Sequence, residues 1–550
     1  MQKEAILQLR TLCENGQMDR ALDLLPRVSS PLSDSVYLFL LKACIKNNKK
    51  GLIQAKHVHA HIARGNVCLN GLLGDYLVVT LAKCGGLEEA ITVSAQLPHL
   101  TVFSSTAIIC GYVDSRRPHD ALRMHRFMQE NGIEPNTYTF VSLFKACGDI
   151  PDLEYGMELH DDAHRRGLTT DVVVGNALIS MYKNCGSMLK AEDLFTNMPF
   201  RSLITWNTML SAHFDHGQAR ECLQLYKQMQ KDGVSSDELT FSVAFQACGL
   251  LLDEELLALK VMCSEITQAL HSDACVKNYE RDVFVGTALI SVYGKLGYIL
   301  EAENVFSLLS CRDVVTWTAM ISAHVEHEQG ERALQLYMQM ESNGTTPNHL
   351  TCIVGLQACS ILAQKQEALD VKGKSMKIIS LEIGQGLHVD ACLRGFTSDL
   401  LVRTAILCMY GKCGSIIEAE NVFNAALIHV RDAVSWNAML SMYVAEGRGE
   451  KALELYTEMM KQSVIINDGT LACVIQACSE IGNLESCKKL HFHVISCGFE
   501  HLQILGAVLI HAYERSGSMR DAQECFDEMT HADIVSWTSC LSGYSDRGDF

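Results

Sequence analysis

The sequence predicts an all-α protein, a superhelical solenoid of stacked helix-turn-helix units of about 35 residues. Three observations carry that expectation. Landmark residues recur at a fixed period, glycine followed five residues later by alanine punctuates most units, and apolar residues between these marks recur at spacings of three and four, the period of a helix.

The period is measurable. Trp206, Trp317, Trp436 and Trp537 are separated by 111, 119 and 101 residues. The Ala-Cys pairs ending at Cys147, Cys248, Cys359 and Cys478 give 101, 111 and 119, and His160, His271, His388 and His491 give 111, 117 and 103. All three rulers agree on a unit of 101 residues, with additions near 250–270, 360–380 and 425–430. The unit divides into pieces of 35, 35 and 31. Ala21, Ala90, Ala121, Ala191, Ala302, Ala333, Ala419, Ala452 and Ala522 mark the second helix of a piece. Gly16, Gly85, Gly186, Gly297, Gly414, Gly447 and Gly517 stand five residues earlier, where a left-handed residue stops a helix. Each piece is one helical hairpin that must stack on its neighbours to bury its apolar face.

Composition agrees. At 550 residues the chain is long enough for three or four ordinary domains, yet it has 8 prolines and no Pro/Gly/Ser-rich linker, which favours one continuous array. The opening MQKEAILQLR has no apolar signal core, no apolar run is long enough to span a membrane, and no transit peptide is visible. The 23 cysteines are therefore read as reduced, small core residues. A net charge of −18 weighs against a nucleic-acid binder that works mainly through phosphates, since that binding is counterion release driven by Lys and Arg; base contacts or a local basic stripe would have to supply the affinity.

The predicted pieces run from end to end. An irregular piece at 1–33 is followed by long pieces at 34–70, 137–171, 238–282, 349–399 and 468–502. Short pieces occupy 71–101, 172–202, 283–313, 400–432 and 503–533, and standard pieces 102–136, 203–237, 314–348 and 433–467. The inserts in 238–282 and 349–399 read as helix extensions. A final piece, 534–550, holds seventeen residues, so the chain is expected to be a fragment.

This triplet resembles the pentatricopeptide repeat family, in the subclass that alternates standard, long and short motifs. Short pieces read VVVGNALISMYKNCGSMLKAEDLFTNMP (172–199) and VFVGTALISVYGKLGYILEAENVF (283–306). Standard pieces read LITWNTMLSAH (203–213), VVTWTAMISAH (314–324) and AVSWNAMLSMY (433–443), and a long piece reads YTFVSLFKACGDI (138–150). The tetratricopeptide repeat fits less well: its period is a uniform 34, and its W-x-x-L-G-x-x-Y signature is missing.

The resemblance implies a right-handed α-solenoid that binds single-stranded RNA, one base per repeat. It further implies that the fifth and last residues of each repeat line the concave surface and read the base. In standard and short pieces the fifth residue is Thr106, Asn176, Asn207, Thr287, Thr318, Thr404, Asn437 or Thr538. The last is Asn136, Ser202, Asp237, Asp313, Asn348, Asp432 or Asn467. These small polar groups suit a base's Watson–Crick edge. They are also residues favoured near helix starts for local hydrogen bonds. With the family's correspondence the pairs spell 5′-ANCUNGANGY-3′. Asp75 with Thr101 and Ala507 with Asp533 match no well-behaved pair, and long pieces carry Val141, Ser242 and Ile353 at the fifth place. Lys83, Lys295, Lys412 and Arg515, at the inter-helix turns of short pieces, are weaker candidates for phosphate contacts, and Asp215 and Glu326 at the matching standard positions would repel them.

Motifs suggestive of catalysis are explained by the repeat. His324-Val325-Glu326 matches the HxE of zinc nucleobase deaminases, but no C-x-x-C exists to complete a metal site. His57, His59 and His61, like His491 and His493, point to packing or capping rather than metal, and Cys408 with Cys413 and Cys473 with Cys478 look like core. The chain is thus expected to bind rather than catalyse, with no cofactor, membrane or small-molecule substrate. The family's usual role implies choosing sites for C-to-U editing or processing in a mitochondrion or chloroplast. Catalysis would come from a carboxy-terminal E/DYW-type deaminase region that this array lacks, or from an editing partner protein. The alternative is a protein-binding helical scaffold, which the acidic balance favours.

Overall fold

In a computed structural model, the structure describes residues 2–25, 32–46, 51–65, 67–69, 71–253, 257–366, 369–371, 374–425, 433–462, 464–499, 503–529 and 534–547. They form two compact units, residues 1–251 and 252–550, each a stack of antiparallel helical hairpins. In the first unit the hairpins include Val102–Asp114 with Pro118–Glu130, Thr137–Asp149 with Leu153–Arg165, Val172–Asn184 with Met188–Asn197, and Leu203–Asp215 with Ala219–Lys231. In the second they include Val283–Leu296 with Ile299–Leu308, Val314–Glu326 with Gly330–Ser342, Leu400–Cys413 with Ile416–Ala425, and Ala433–Ala445 with Gly449–Lys461. Within each unit, first helices pack against the first helices of neighbouring hairpins, and the second helices form the other layer.

The marks read from the sequence do what their chemistry dictates. Ala90, Ala121, Ala191, Ala302, Ala333, Ala419, Ala452 and Ala522 are completely buried, because a methyl is what the closely crossing helices leave room for. Gly297 has φ +88° and caps the helix Val283–Leu296, its N–H bonding to Gly294 O. Arg116 and Glu328 hold the same left-handed conformation with a side chain, at a cost of about 1–2 kcal/mol.

The tryptophans join pieces. Trp206, Trp317 and Trp436 are fully buried and meet Phe195, Phe306 and Phe423 edge to face at 4.8–5.1 Å between ring centroids. Arg201 lies over the Phe195 ring at 4.8 Å and donates to Phe195 O and Thr196 O (2.8 and 2.7 Å), closing the carbonyl end of the helix Met188–Asn197. Arg312 repeats the arrangement on Phe306 and Ser307.

The recurring histidines pair with tyrosines 22 residues later. The hydroxyls of Tyr182, Tyr293, Tyr410 and Tyr513 bond Nδ1 of His160, His271, His388 and His491 at 2.7–3.0 Å. This explains the histidine period as packing. His324 is likewise buried and bonded through Nδ1 to Gln329 Oε1 (2.8 Å).

Two expectations are corrected. The insert in 349–399 is not a continuous helix extension: the helix His349–Lys365 ends, and Leu369–Val371 pairs antiparallel with Lys374–Met376 before Ile378–Leu393 begins. SEITQALHSDAC, in contrast, lies within the single helix Leu257–Val276. Cys408 is exposed and Cys473 half-buried, whereas Cys413 and Cys478 are core. Five residues along a helix turn a side chain through about 140°, so both members of each pair cannot face the same core. Burial pushes the thiols of Cys147, Cys222, Cys478 and Cys525 up to about 12, the behaviour of inert apolar side chains.

Burial lowers the basicity of His160, His271, His388 and His491 and takes His125, bonded to Tyr155, down to about 4. The unfolded chain therefore takes up more protons than the folded one below the ordinary histidine value. We expect stability to be full above about pH 6.5 and to fall as pH drops toward 4, with His125 alone contributing on the order of 3 kcal/mol. Denaturant melts from pH 7.5 to 4.5 check this, and His125→Gln is expected to flatten the profile.

Candidate nucleic-acid interface

The last residue of a repeat is the N-cap of the next first helix. Asn136, Ser202, Asp313, Asn348 and Asn467 each sit in extended backbone and accept the N–H of the third helical residue through a side-chain oxygen. That third residue is Thr139, Thr205, Thr316, Thr351 or Thr470. Asp237 does the same for Thr240, at 2.9 Å. The sequence offered capping and base reading as alternative explanations of these residues; the cap is real, and it leaves part of each side chain over.

The threonine at the third position ties the cap to the preceding repeat's fifth residue. In the first unit, Thr106 Oγ1 lies 2.6 Å from Thr139 Oγ1, which donates to Asn136 Oδ1 at 3.0 Å. Asn207 donates to both Asp237 oxygens (2.9 and 3.1 Å), while the Thr240 hydroxyl lies 2.6 Å from Asn207 Oδ1 and 2.7 Å from Asp237 Oδ1. In the second unit, Thr287, Thr316 and Asp313 repeat the chain at 2.8 and 2.8 Å. Thr318, Thr351 and Asn348 do so at 2.7 and 2.9 Å. Asn437 donates to Asn467 Oδ1 (3.2 Å) and accepts from Thr470 (2.7 Å). Thr404 meets Ser435 at 3.0 Å; its expected partner Asp432 lies outside the described residues.

Three places differ. Asn176 Oδ1 is buried without a partner, because Ser202 engages Thr205 alone. Asp75 Oδ1 is also buried and unpartnered. Thr538 is exposed and bonds the carbonyl of Ile534 in its own helix. Burial pushes the Asp237 carboxyl up, but the hydrogen bonds from Thr240 and Asn207 outweigh it and hold it below the usual carboxylate range, so it is an anion and an acceptor.

Sequence reasoning missed a second row. The second residue of the first helices is a large apolar side chain left exposed: Phe103, Tyr138, Val173, Ile204 and Leu239 in the first unit, and Phe284, Val315, Leu350, Leu401 and Val434 in the second. They are between 49% and 73% exposed. Recurrence two residues after the cap position was the available signal.

The proposed phosphate contacts fare unevenly. Lys83, Lys412 and Arg515 are exposed, but Lys295 is engaged with Asp253 at 2.6 Å. Asp215 is ion-paired with Lys183. Among the described residues no group of three or more His, Cys, Asp and Glu could hold a metal, and no helix is long and apolar enough to cross a membrane. Because Asn348 caps the helix His349–Lys365, Asn348→Ala is expected to cost about 1 kcal/mol, while Asn348→Asp stays within about 0.5, read by denaturant melts.

The repeats match known proteins. The PPR repeat family model matches residues 100–149, 201–249, 312–360 and 431–480, and the PPR repeat model residues 176–203, 287–314 and 508–534. A chloroplastic pentatricopeptide repeat-containing protein of Arabidopsis thaliana is 29% identical over 545 residues, covering 98% of this chain and 59% of the relative. A mitochondrial one from the same plant is 26% identical, covering 93% of this chain and 63% of the relative. The chain thus spans about three-fifths of the length of these relatives. Among solved structures, the maize pentatricopeptide repeat protein PPR10 aligns with a TM-score of 0.65 and 16% identity, covering 99% of this chain and 86% of that one. That likeness establishes the α-solenoid fold. With the repeat matches spread over half of its length and the stacked hairpins between them, the chain belongs to the pentatricopeptide repeat family.

Proposed function

We propose that the chain binds single-stranded RNA sequence-specifically, one base per repeat, through an array of alternating standard, long and short motifs. The observation that carries this reading is the recurrence of a fixed polar pair beside an exposed apolar side chain. In Thr106/Asn136, Asn207/Asp237, Thr287/Asp313, Thr318/Asn348 and Asn437/Asn467, hydrogen bonds within the protein hold the groups in place while leaving donors or acceptors to spare. An exposed flat or branched apolar group in the same repeat supplies a surface for the face of a base. With a net charge of −18, affinity is expected to rest mainly on base contacts.

The biological reading follows the family: a site-recognition factor in organellar RNA modification, C-to-U editing, or processing, in a chloroplast or mitochondrion, with catalysis supplied elsewhere in a longer protein or by a partner. The relatives' chloroplastic and mitochondrial designations support an organelle without choosing one. The acidic surface favours a second reading, a protein-binding scaffold.

Gel-shift binding to 5′-ANCUNGANGY-3′ RNA against a scrambled control, at two salt concentrations, separates the two. We expect preference for the first RNA with a shallow salt slope, and Asn207→Thr is expected to move preference at one base from pyrimidine toward purine. No binding to either RNA by a folded chain would favour the scaffold.

A further inference from the structure

We infer that the buried hydroxyl at the third position of a first helix that follows a standard or short piece is a specificity-positioning group. It decides which atoms of the preceding repeat's reading pair face the base. This rests on the RNA-reading proposal and goes beyond it, since the fifth and last residues alone leave their hydrogen-bonding polarity open.

The polarity follows from counting protons. Asn348 Oδ1 is an acceptor only, and it takes both the N–H and the O–H of Thr351, each at 2.9 Å. Thr351 has then spent its one proton on Asn348, and the single Thr318 proton goes to Thr351 Oγ1 or to Val314 O, each 2.7 Å away. Thr318 is left with lone pairs for the groove, and Asn348 with its Nδ2 hydrogens. An acceptor beside a donor complements the N6 amine and N1 of adenine. The same count at Thr287, Thr316 and Asp313 leaves an acceptor beside a carboxylate oxygen, which complements the N1–H and N2 amine of guanine. Without the Thr316 hydroxyl, Thr287 loses its acceptor and can donate to the groove, so the guanine reading blurs, whereas Thr318 keeps Val314 O.

The pattern of use within the chain supports a dedicated role. Every first helix that follows a standard or short piece from residue 102 onward carries Ser or Thr at the third position, as in Ser104, Thr139, Thr240 and Ser435. After long pieces, the caps Asp171, Asp282 and Asp399 are followed at the third position by Val174, Val285 and Val402, and the fifth residues are Val141, Ser242 and Ile353. A cap alone therefore needs no hydroxyl.

The test is Thr316→Val, which keeps the shape and the backbone N–H bond to Asp313, with Thr316→Ser as the conservative control. Equilibrium binding of the full chain is measured to 5′-ANCUNGANGY-3′ RNA and to versions with each other base at the sixth position. Wild type is expected to prefer G there by about tenfold or more. Thr316→Val is expected to fall below threefold at that base alone, with the other positions unchanged and Thr316→Ser like wild type. Retained preference in Thr316→Val, or a uniform loss across all RNAs, overturns the inference while leaving base reading intact. A wild type without preference at any base fails the RNA-reading proposal and this inference with it. Should Thr316→Val lose its cooperative helical melt, Thr139→Val applies the same criterion to A at the first base.

Discussion

A side-chain oxygen that accepts the N–H three residues into a helix is the interaction on which this architecture turns. It starts first helices at Asn136, Ser202, Asp237, Asp313, Asn348 and Asn467. An N-cap requires a short polar residue with a fixed orientation. Because the pieces are continuous in sequence, that residue also ends the preceding repeat, so each cap stands beside the fifth residue of the helix before it. The polar pair is in this sense a by-product of starting a helix, later constrained by the threonine that bonds to both members. Pre-orientation of this kind spares a bound base the ordering cost that loose amides would impose.

The remaining contacts fix the spacing between one cap and the next. Edge-to-face Phe–Trp pairs join a short piece to the standard piece after it, and His–Tyr pairs join a long piece to the following short one. The fully buried alanines set how closely the two helices of a hairpin approach. Together they hold the register of the stack.

Much of this was legible because the same physics repeats. A single Gly-x4-Ala is weak evidence, but its recurrence with a Trp, Cys and His period of 101 leaves little besides stacked hairpins. The fifth and last positions stood out as polar where a helix pattern calls for apolar residues. What escaped was relational. The 22-residue interval from His160 to Tyr182, and from His271 to Tyr293, was constant and countable, yet a histidine alone reads only as packing. The third-position threonines look like ordinary strand or cap residues until the previous repeat is placed beside them. The exposed row from Phe103 to Tyr138 to Val173 was masked by its own hydrophobicity, which suggests core. The short hairpin at 369–376 departs from the repeat, so periodicity had nothing to say about it.

Selection from a fully randomised RNA pool with the wild-type chain tests the central claim most directly. If caps and fifth residues read bases together, the enriched sequences will carry strong preferences at bases facing the standard and short pieces and little at those facing the long pieces, whose fifth residues are Val141, Ser242 and Ile353. An information profile with a gap at every third base is the expected result. Enrichment with no base preference, or with preference spread evenly over all positions, would contradict it.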